Sequence, residues 1–104
     1  MESKYIITGV KLEEYEALRK VTKSIADDSI IGLNKLGISK PKGLGVDLKY
    51  DPKKYEVGIF IGKGREKQPV LDSEGLSKDE ELFVDILRDN LEKRLEIIRI
   101  SEEK

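Results

Sequence analysis

Two runs of alternating apolar residues in the middle of the chain constrain its fold more than any other feature. Every second residue from Leu44 to Tyr50 is apolar, and so is every second residue from Tyr55 to Ile61. Alternation with a period of two is typical of strands that are buried on one face only. The intervening segment 51–54 begins Asp-Pro, which suits the first positions of a type I turn. The sequence therefore predicts an antiparallel hairpin with its apolar face in the core.

The register of this hairpin follows from closing it with a four-residue turn. Such a turn pairs Tyr50 with Tyr55 and Leu48 with Val57, so that every pair on this face is apolar. A slip by one residue would move the whole apolar set to the other face. We therefore expect four positions of the hairpin to lie in the interior, namely Val46, Leu48, Val57 and Ile59.

The opposite face of the hairpin carries Phe60 between two glycines. Glycine leaves a flat surface that a second backbone can approach closely. If the first strand also presents Tyr5 and Ile7 on that face, the patch is apolar enough for self-association. The alternative is that the segment 63–76 folds back over the patch. Tyr5, Ile7 and Phe60 are therefore the predicted oligomer interface.

The part of the chain before the hairpin predicts one strand and a helical region. Residues 4–10 are rich in β-branched and aromatic side chains, which indicates a central strand. From Leu12 to Leu36 apolar residues recur at spacings of three and four, which is one helical stripe. A single helix of that length would overhang a short strand. We therefore expect a break at 27–29, where an aspartate or Ser29 could cap a second helix.

The sequence after the hairpin predicts a loop and a helix, and it leaves undecided whether the last segment is a strand or a continuation of that helix. Residues 63–76 contain two glycines and a proline and are predicted to be a long loop. Ser77 followed by Glu80 matches a capping box before an apolar helical stripe, so a helix begins there. Residues 95–100 are rich in β-branched side chains, yet the helical spacing of leucines runs on into this segment. The pattern allows both a last strand and a longer helix, and we favour the strand.

The predicted order of elements is β-α-β-β-α-β within a single α+β domain of residues 1–104. This order resembles the ferredoxin-like architecture, a four-stranded antiparallel sheet with helices on one face. The alternative is β-α-β-β-α with a long C-terminal helix. The resemblance concerns architecture alone, because this fold carries many unrelated functions.

The absence of histidine, cysteine and tryptophan narrows the chemistry that the chain can perform. Histidine is the side chain that titrates nearest neutrality, and cysteine supplies the thiolate nucleophile and the soft metal ligand. Neighbouring carboxylates, as at Glu13 and Glu14, diverge on a helix and do not share a proton or a metal. We therefore expect no cofactor, no metal and a binding protein rather than an enzyme. An enzyme using carboxylate, lysine or tyrosine chemistry remains an alternative.

The composition also bears on the environment of the protein. With 38% apolar and 39% charged residues, the chain is typical of a globular protein. No apolar run approaches the length of a membrane span, so we expect a cytoplasmic protein without a membrane partner. Abundant Lys and Glu with only three amide side chains are typical of a thermophile, although an AT-rich genome also favours lysine and isoleucine.

The positive charges concentrate in the middle of the chain. Residues 35–67 carry nine basic and four acidic groups, whereas residues 68–104 carry six basic and eleven acidic groups. Six cations fall in the two segments that leave the same end of the hairpin, namely Lys35, Lys40, Lys42, Lys63, Arg65 and Lys67. Gathered at one place, they would form a surface for phosphates or another acidic partner. The alternative is a solvated surface whose cations are partnered by the acidic C-terminal helix.

These observations predict a small non-catalytic binding or adaptor module that acts as a homo-oligomer, such as a homodimer. Its basic loops would contact an acidic partner, either nucleic acid or an acidic protein. A regulatory domain that holds a small molecule near Phe60 is the alternative. These three functions predict different observations. Binding to nucleic acid weakens steeply with added salt, a regulatory domain is stabilised against heat by its metabolite, and an enzyme has an enclosed pocket with a titratable group of shifted pKa.

Overall fold

The computed structural model describes residues 5–72 and 74–102, in which an antiparallel sheet packs against helices. The strands are β1 (Ile6–Ile7), β2 (Leu44–Asp51), β3 (Glu56–Lys63) and β4 (Glu66–Pro69). The helices are α1 (Leu12–Lys20), α2 (Thr22–Lys35) and α3 (Lys78–Glu102). The predicted α+β class is therefore confirmed. The predicted first strand begins at Lys4, which lies outside the described residues.

Strand β3 is the centre of the sheet, because it pairs antiparallel with the other three strands. Strand β2 lies along one side of β3 over its whole length, ending with Asp51 opposite Glu56. The other side of β3 is shared, since β1 pairs with residues 57–58 and β4 with residues 60–63. Strands β1 and β4 therefore form one row, end to end, at the same edge of the sheet.

The register of the β2–β3 hairpin differs from the prediction by two residues. Tyr50 lies opposite Val57 and not opposite Tyr55. The turn still holds four residues but spans 52–55, because Tyr55 leaves the ladder with a left-handed backbone at φ 54°. A shift of two residues keeps every side chain on its predicted face. The predicted pairs are therefore wrong, while the predicted faces are correct.

One face of the sheet lies in the core together with the apolar stripes of the helices. Leu48, Val57 and Ile59 are buried, and Val46 packs half-buried against them, as the alternation predicts. Tyr55 was predicted on the same face, but its place in the turn leaves it exposed. The interior face of the hairpin is therefore a property that the sequence alone predicts.

Strand β1 turns its side chains the other way from the prediction. Tyr5 and Ile7 are buried in the core, so their predicted position on the open face is wrong. Ile7 lies opposite Val57, whose side chain is interior, and Tyr5 precedes Ile7 by two positions on the same face. Ile6, opposite Gly58, is the residue of β1 that faces the open side.

The helical region before the hairpin is broken at Val21 and not at 27–29. Val21 has φ −111° and ψ 13°, which separates α1 from α2. The hydroxyl of Thr22 donates a 3.1 Å hydrogen bond back to the carbonyl oxygen of Leu18. Two consecutive β-branched residues are weak helix formers, and the threonine hydroxyl offers the backbone a competing partner. The break therefore falls at this β-branched pair.

Helix α2 packs closely against α3 through small residues. A Cβ atom at Gly32 would lie 3.3 Å from Cγ2 of Ile86. Ser29, predicted as a helix cap, is instead buried within α2, where its hydroxyl donates a 2.7 Å hydrogen bond to the carbonyl oxygen of Ile25. The same hydroxyl accepts a 3.0 Å hydrogen bond from the side-chain amide of Asn90 on α3. The pair satisfies a buried polar group and aligns the two helices.

The predicted C-terminal strand is wrong, because residues 95–100 continue α3. Leu91 and Leu95 are buried on its helical stripe, whereas Ile97 and Ile100 are exposed. The β-branched side chains favour a strand locally, but burial at helical spacing decides the conformation. The long C-terminal helix that the sequence allowed as the alternative is therefore present, and the fourth strand comes from elsewhere.

That fourth strand, β4, lies within the segment predicted to be a long loop. The two-residue turn Gly64-Arg65 joins it to β3, with Gly64 at φ 63°. Tight hairpin turns favour glycine at such a position. A Cβ atom at Gly62 would clash with the carbonyl oxygen of Glu66 and lie 2.9 Å from Cα of Lys67. Glycine at these two positions therefore permits the close return of the chain.

Candidate functional site

The start of β2 gathers cations from three segments around Leu44 and Gly45. Lys63 lies opposite Leu44 in the ladder. Lys40 donates a 2.9 Å hydrogen bond from Nζ to the carbonyl oxygen of Leu44. A Cβ atom at Gly45 would lie 3.1 Å from Cε of Lys67, so the stem of that lysine lies across the bare backbone of β2. Strand pairing thus brings together lysines that are far apart in the sequence.

Two more of the predicted cations lie at this end of the sheet, and one does not join them. Arg65 in the β3–β4 turn and Lys42 just before β2 are both exposed. Lys35 lies in the last turn of α2, and no contact within the described part of the chain joins it to the others. Glu66 is the one carboxylate of the segments 40–45 and 62–67. We call the following five residues the basic end: Lys40, Lys42, Lys63, Arg65 and Lys67.

The lysines of the basic end are held by backbone carbonyl groups. Nζ of Lys67 donates a 3.0 Å hydrogen bond to the carbonyl oxygen of Gly64, as Lys40 does at Leu44. Within residues 5–72 and 74–102, the ion pairs observed on α3 involve Arg88 and Arg99 and no member of the basic end. An ammonium group bound to one carbonyl keeps two N–H donors for a ligand. The two lysines are therefore positioned without being neutralised.

The open face of the sheet holds a shallow concavity of about 240 Å³ around Phe60. Ile6, Pro69 and Leu71 contribute its apolar walls. Nζ of Lys49 lies 4.6 Å from the centroid of the Phe60 ring, a favourable cation–π distance. Strand β4 and the residues after it line the rim of the concavity and leave Phe60 partly exposed. Of the three predicted interface residues, Phe60 alone is therefore on this face.

Side chains cover part of the outer edge of β2. Every second residue of β2, starting at Leu44, directs its N–H and C=O groups away from β3. At Leu48 the N–H group donates a 2.9 Å hydrogen bond to Oδ1 of Asp47, and the carbonyl oxygen accepts a 3.0 Å hydrogen bond from the hydroxyl of Tyr15. At Leu44 the carbonyl oxygen is taken by Lys40. Proteins commonly protect sheet edges against uncontrolled pairing in such ways.

A carboxylate–guanidinium pair joins α1 to α3. Oε2 of the buried Glu14 accepts a 2.7 Å hydrogen bond from Nε of Arg99, and Oε1 accepts a 2.8 Å hydrogen bond from the N–H group of Lys11. The Arg99 hydrogen bond, aided by that of Lys11, lowers the pKa of Glu14 against the opposing effect of burial. A carboxyl group with a lowered pKa is a weak general base. We therefore interpret Glu14 as a structural residue.

No protein-family model, curated protein or solved structure matches this chain. Among the residues that the structure describes, no helix is long and apolar enough to cross a membrane. The same residues contain no cluster of three or more potential side-chain metal ligands.

Proposed function

We propose that the protein is a non-catalytic binding module whose basic end contacts the phosphates of a nucleic acid. The observation that carries the proposal is the convergence of lysines from three segments on Leu44 and Gly45. A single carboxylate, Glu66, accompanies the five cations in those segments. Phosphate contacts by lysine and arginine supply most of the affinity in sequence-independent binding of nucleic acids.

The positions of two lysines beside β2 support a joint action of their charges. Nζ of Lys40 lies 2.9 Å from the carbonyl oxygen of Leu44, and Nζ of Lys67 lies 3.6 Å from the position that a Cβ atom would take at the adjacent Gly45. The screening length at physiological salt is about 8 Å. The potentials of these cations therefore add at the surface, and a chain of phosphates is attracted more strongly than a single anion.

The open face supports self-association as the second part of the proposal. Its apolar residues Ile6, Phe60 and Leu71 surround a flat glycine, and the occupant that we propose is a second copy of the chain. Glu56 lies toward one end of this face and Lys67 toward the other. Two copies stacked face to face, related by a twofold axis that lies in the interface and runs across the strands, would each place Glu56 near Lys67 of the other. The open face is therefore apolar, and its charges are complementary to those of the same face in a second copy.

A small-molecule-binding regulatory domain remains the second candidate, because the concavity beside Phe60 is apolar. Its volume of about 240 Å³ is below the roughly 300–1,000 Å³ typical of ligand pockets. A thermal-denaturation screen against common metabolites tests this candidate. A ligand that raises the melting temperature, with the effect lost in Phe60→Ala, would favour the regulatory function over nucleic-acid binding.

The direct test of nucleic-acid binding is fluorescence anisotropy with short labelled oligonucleotides at increasing salt concentration. If all five cations contact phosphates of a single strand, the log of the binding constant falls with the log of salt concentration at a slope of about −3.5. Polyglutamate of equal charge serves as the competitor. Equal binding of polyglutamate would assign an acidic protein as the partner, and no binding of either polymer at low salt would refute the proposal.

A further inference from the structure

The outer edge of β1 carries backbone groups that have no partner within the described residues. Ile7 pairs with Val57, whose N–H and C=O groups point toward β1, since the carbonyl oxygen of Ile59, two positions along β3, accepts a hydrogen bond on that side from the N–H of Val70. In a planar trans peptide the N–H and C=O groups point in opposite directions. The C=O of Ile6 and the N–H of Thr8 therefore point outward, away from β3.

Beside this edge, Ile7 and Thr8 line a groove of about 460 Å³ whose other wall is α3. Its floor is apolar, since Ile7 and Leu95 both line it and both belong to the core. Thr8 lies at the rim and is exposed. The groove thus combines an unpaired strand edge with an apolar floor, which is the arrangement that accepts an added strand.

The other exposed edges of the sheet are partly protected against pairing. On β2, the outward groups of Leu44 and Leu48 are bonded to side chains, as described above. On β4, Pro69 has no N–H group to donate. This partial protection, compared with the outward C=O of Ile6 and N–H of Thr8, favours β1 as the edge that accepts an added strand.

The wall of the groove on α3 is rich in carboxylates. Asp89, Glu92 and Glu96 line it, with Lys93 and Arg99 as the cations. Arg99 donates hydrogen bonds to Glu14 and to the carbonyl oxygen of Gly9, and Glu92 forms an ion pair with Arg88 at 3.1 Å. Asp89 and Glu96 form no ion pair with any residue that the structure describes. The groove therefore favours a positively charged occupant.

We propose that this groove binds an extended, lysine- or arginine-rich segment of a partner protein, which adds to the sheet as a strand beside β1. The partner backbone accepts a hydrogen bond from the N–H of Thr8 and donates one to the C=O of Ile6. Basic side chains of the segment reach Asp89 and Glu96, while its small apolar side chains cover Ile7 and Leu95. This site goes beyond the proposed function, because it uses another edge of the sheet and the opposite charge.

The test is a titration of the ¹⁵N-labelled full-length protein with a synthetic eight-residue peptide of alternating valine and lysine, followed by amide chemical shifts. We expect the Thr8 amide to shift most, as a new hydrogen bond forms there. An equivalent peptide of valine and glutamate is the control. Equal shifts with both peptides, shifts confined to the Phe60 face, or no shift at millimolar peptide would each overturn the proposal.

Two variants separate strand addition from unspecific attraction. Thr8→Pro removes the outward N–H group without removing a hydrogen bond within the described chain, and we expect it to weaken peptide binding at least tenfold. If this variant does not fold, the double variant Asp89→Asn, Glu96→Gln provides the second readout, and we expect a similar loss. The matched control is Glu16→Gln with Asp28→Asn, two exposed carboxylates outside the groove. An equal loss in this control would refute the site.

Discussion

Nε of Arg99, near the C-terminal end of α3, donates a 2.7 Å hydrogen bond to the buried carboxylate of Glu14 in the first turn of α1. The same guanidinium donates a 2.7 Å hydrogen bond to the carbonyl oxygen of Gly9, which follows β1. One side chain thus joins the last helix to both the first helix and the first strand. It also stands at the end of the groove beside β1, so it positions α3 as the wall of that groove.

Replacing Arg99 with Met is expected to lower the free energy of unfolding by about 1–2 kcal/mol near neutral pH, because a buried carboxylate loses its charged partner. The pKa of Glu14 is lowered in the folded protein, so this stabilisation is present above the unfolded value of 4.5 and is lost as pH falls through the folded value. The difference between wild type and variant therefore shrinks as the pH falls through the lowered pKa that Glu14 has in the folded wild type. Urea denaturation over pH measures it.

The control for that experiment is Glu92→Gln, which removes the more exposed pair of Arg88 and Glu92 within α3. We expect a change below about 0.5 kcal/mol, because exposed helix pairs contribute little. An Arg99→Met variant with unchanged stability at neutral pH would contradict the structural role of the Glu14 pair.

Val57→Asp and Phe60→Asp are expected to act differently, although the two residues lie only three positions apart on β3. Val57 is fully buried, so an aspartate there lowers the free energy of unfolding by more than about 4 kcal/mol and abolishes the cooperative melt. Phe60 lies on the open face, so we expect the Phe60→Asp variant to fold and to form a smaller assembly than the wild-type protein, with a lower molecular mass in solution. Circular dichroism and size-exclusion chromatography with light scattering measure the two outcomes.

Tyr55→Asp is the matched control, because Tyr55 is an exposed aromatic residue in the hairpin turn. We expect it to leave the molecular mass of the wild type unchanged. A folded Phe60→Asp variant with the wild-type mass would end the proposed open-face interface, and a normal melt of Val57→Asp would reverse the assignment of the faces.

The double variant Lys63→Glu, Arg65→Glu is expected to reduce oligonucleotide affinity at least about tenfold. It should also make the slope of log affinity against log salt shallower by about 1.4, since two phosphate contacts are lost. Lys53→Glu with Lys54→Glu makes the same change in net charge at the turn, the opposite end of the same hairpin. Equal losses in both double variants would show that net charge, and not the basic end, determines the affinity.

Gly62→Ala is expected to lower the free energy of unfolding by about 2 kcal/mol, because the new Cβ atom would clash with the carbonyl oxygen of Glu66. Gly58→Ala is the control on the same face of β3. Its Cβ atom would lie 3.5 Å from the ring of Phe60, which is an ordinary contact. We expect that variant to change stability by less than about 0.5 kcal/mol in urea denaturation. Similar effects of both substitutions would contradict the close return of β4.

The interior face of the hairpin is predictable from the sequence, because side-chain parity in a strand is a local property. Val57 and Ile59 lie in the core even though the predicted pairs are shifted by two residues. The two-residue shift cannot be predicted from the sequence, because it depends on a left-handed backbone at Tyr55, which is uncommon for a bulky residue. Five of the six predicted cations lie at one end of the sheet. An antiparallel hairpin places the start of its first strand beside the end of its second strand, so its connectivity brings these cations to the same end.

Other features of the candidate surfaces cannot be predicted from any short segment of the sequence. The pair of Glu14 and Arg99 joins residues 85 positions apart, and neither stands in a motif. The turn at Gly64-Arg65 is a signal for a hairpin, but the polar residues of β4 lack the alternation that would extend it. The groove beside β1 exists because residues 95–100 are helical, and the local preference of their β-branched side chains points to a strand.

The sequence by itself determined the α+β class, the interior face of the central hairpin and the concentration of positive charge at one end of it. These depend on periodicity and composition within short segments. The tertiary structure alone decided the strand register, the origin of the fourth strand, the burial of Tyr5 and Ile7, and the helical conformation of residues 95–100. Each of those outcomes is a competition between alternatives of similar local stability, and it is the burial of side chains against distant elements that selects one of them.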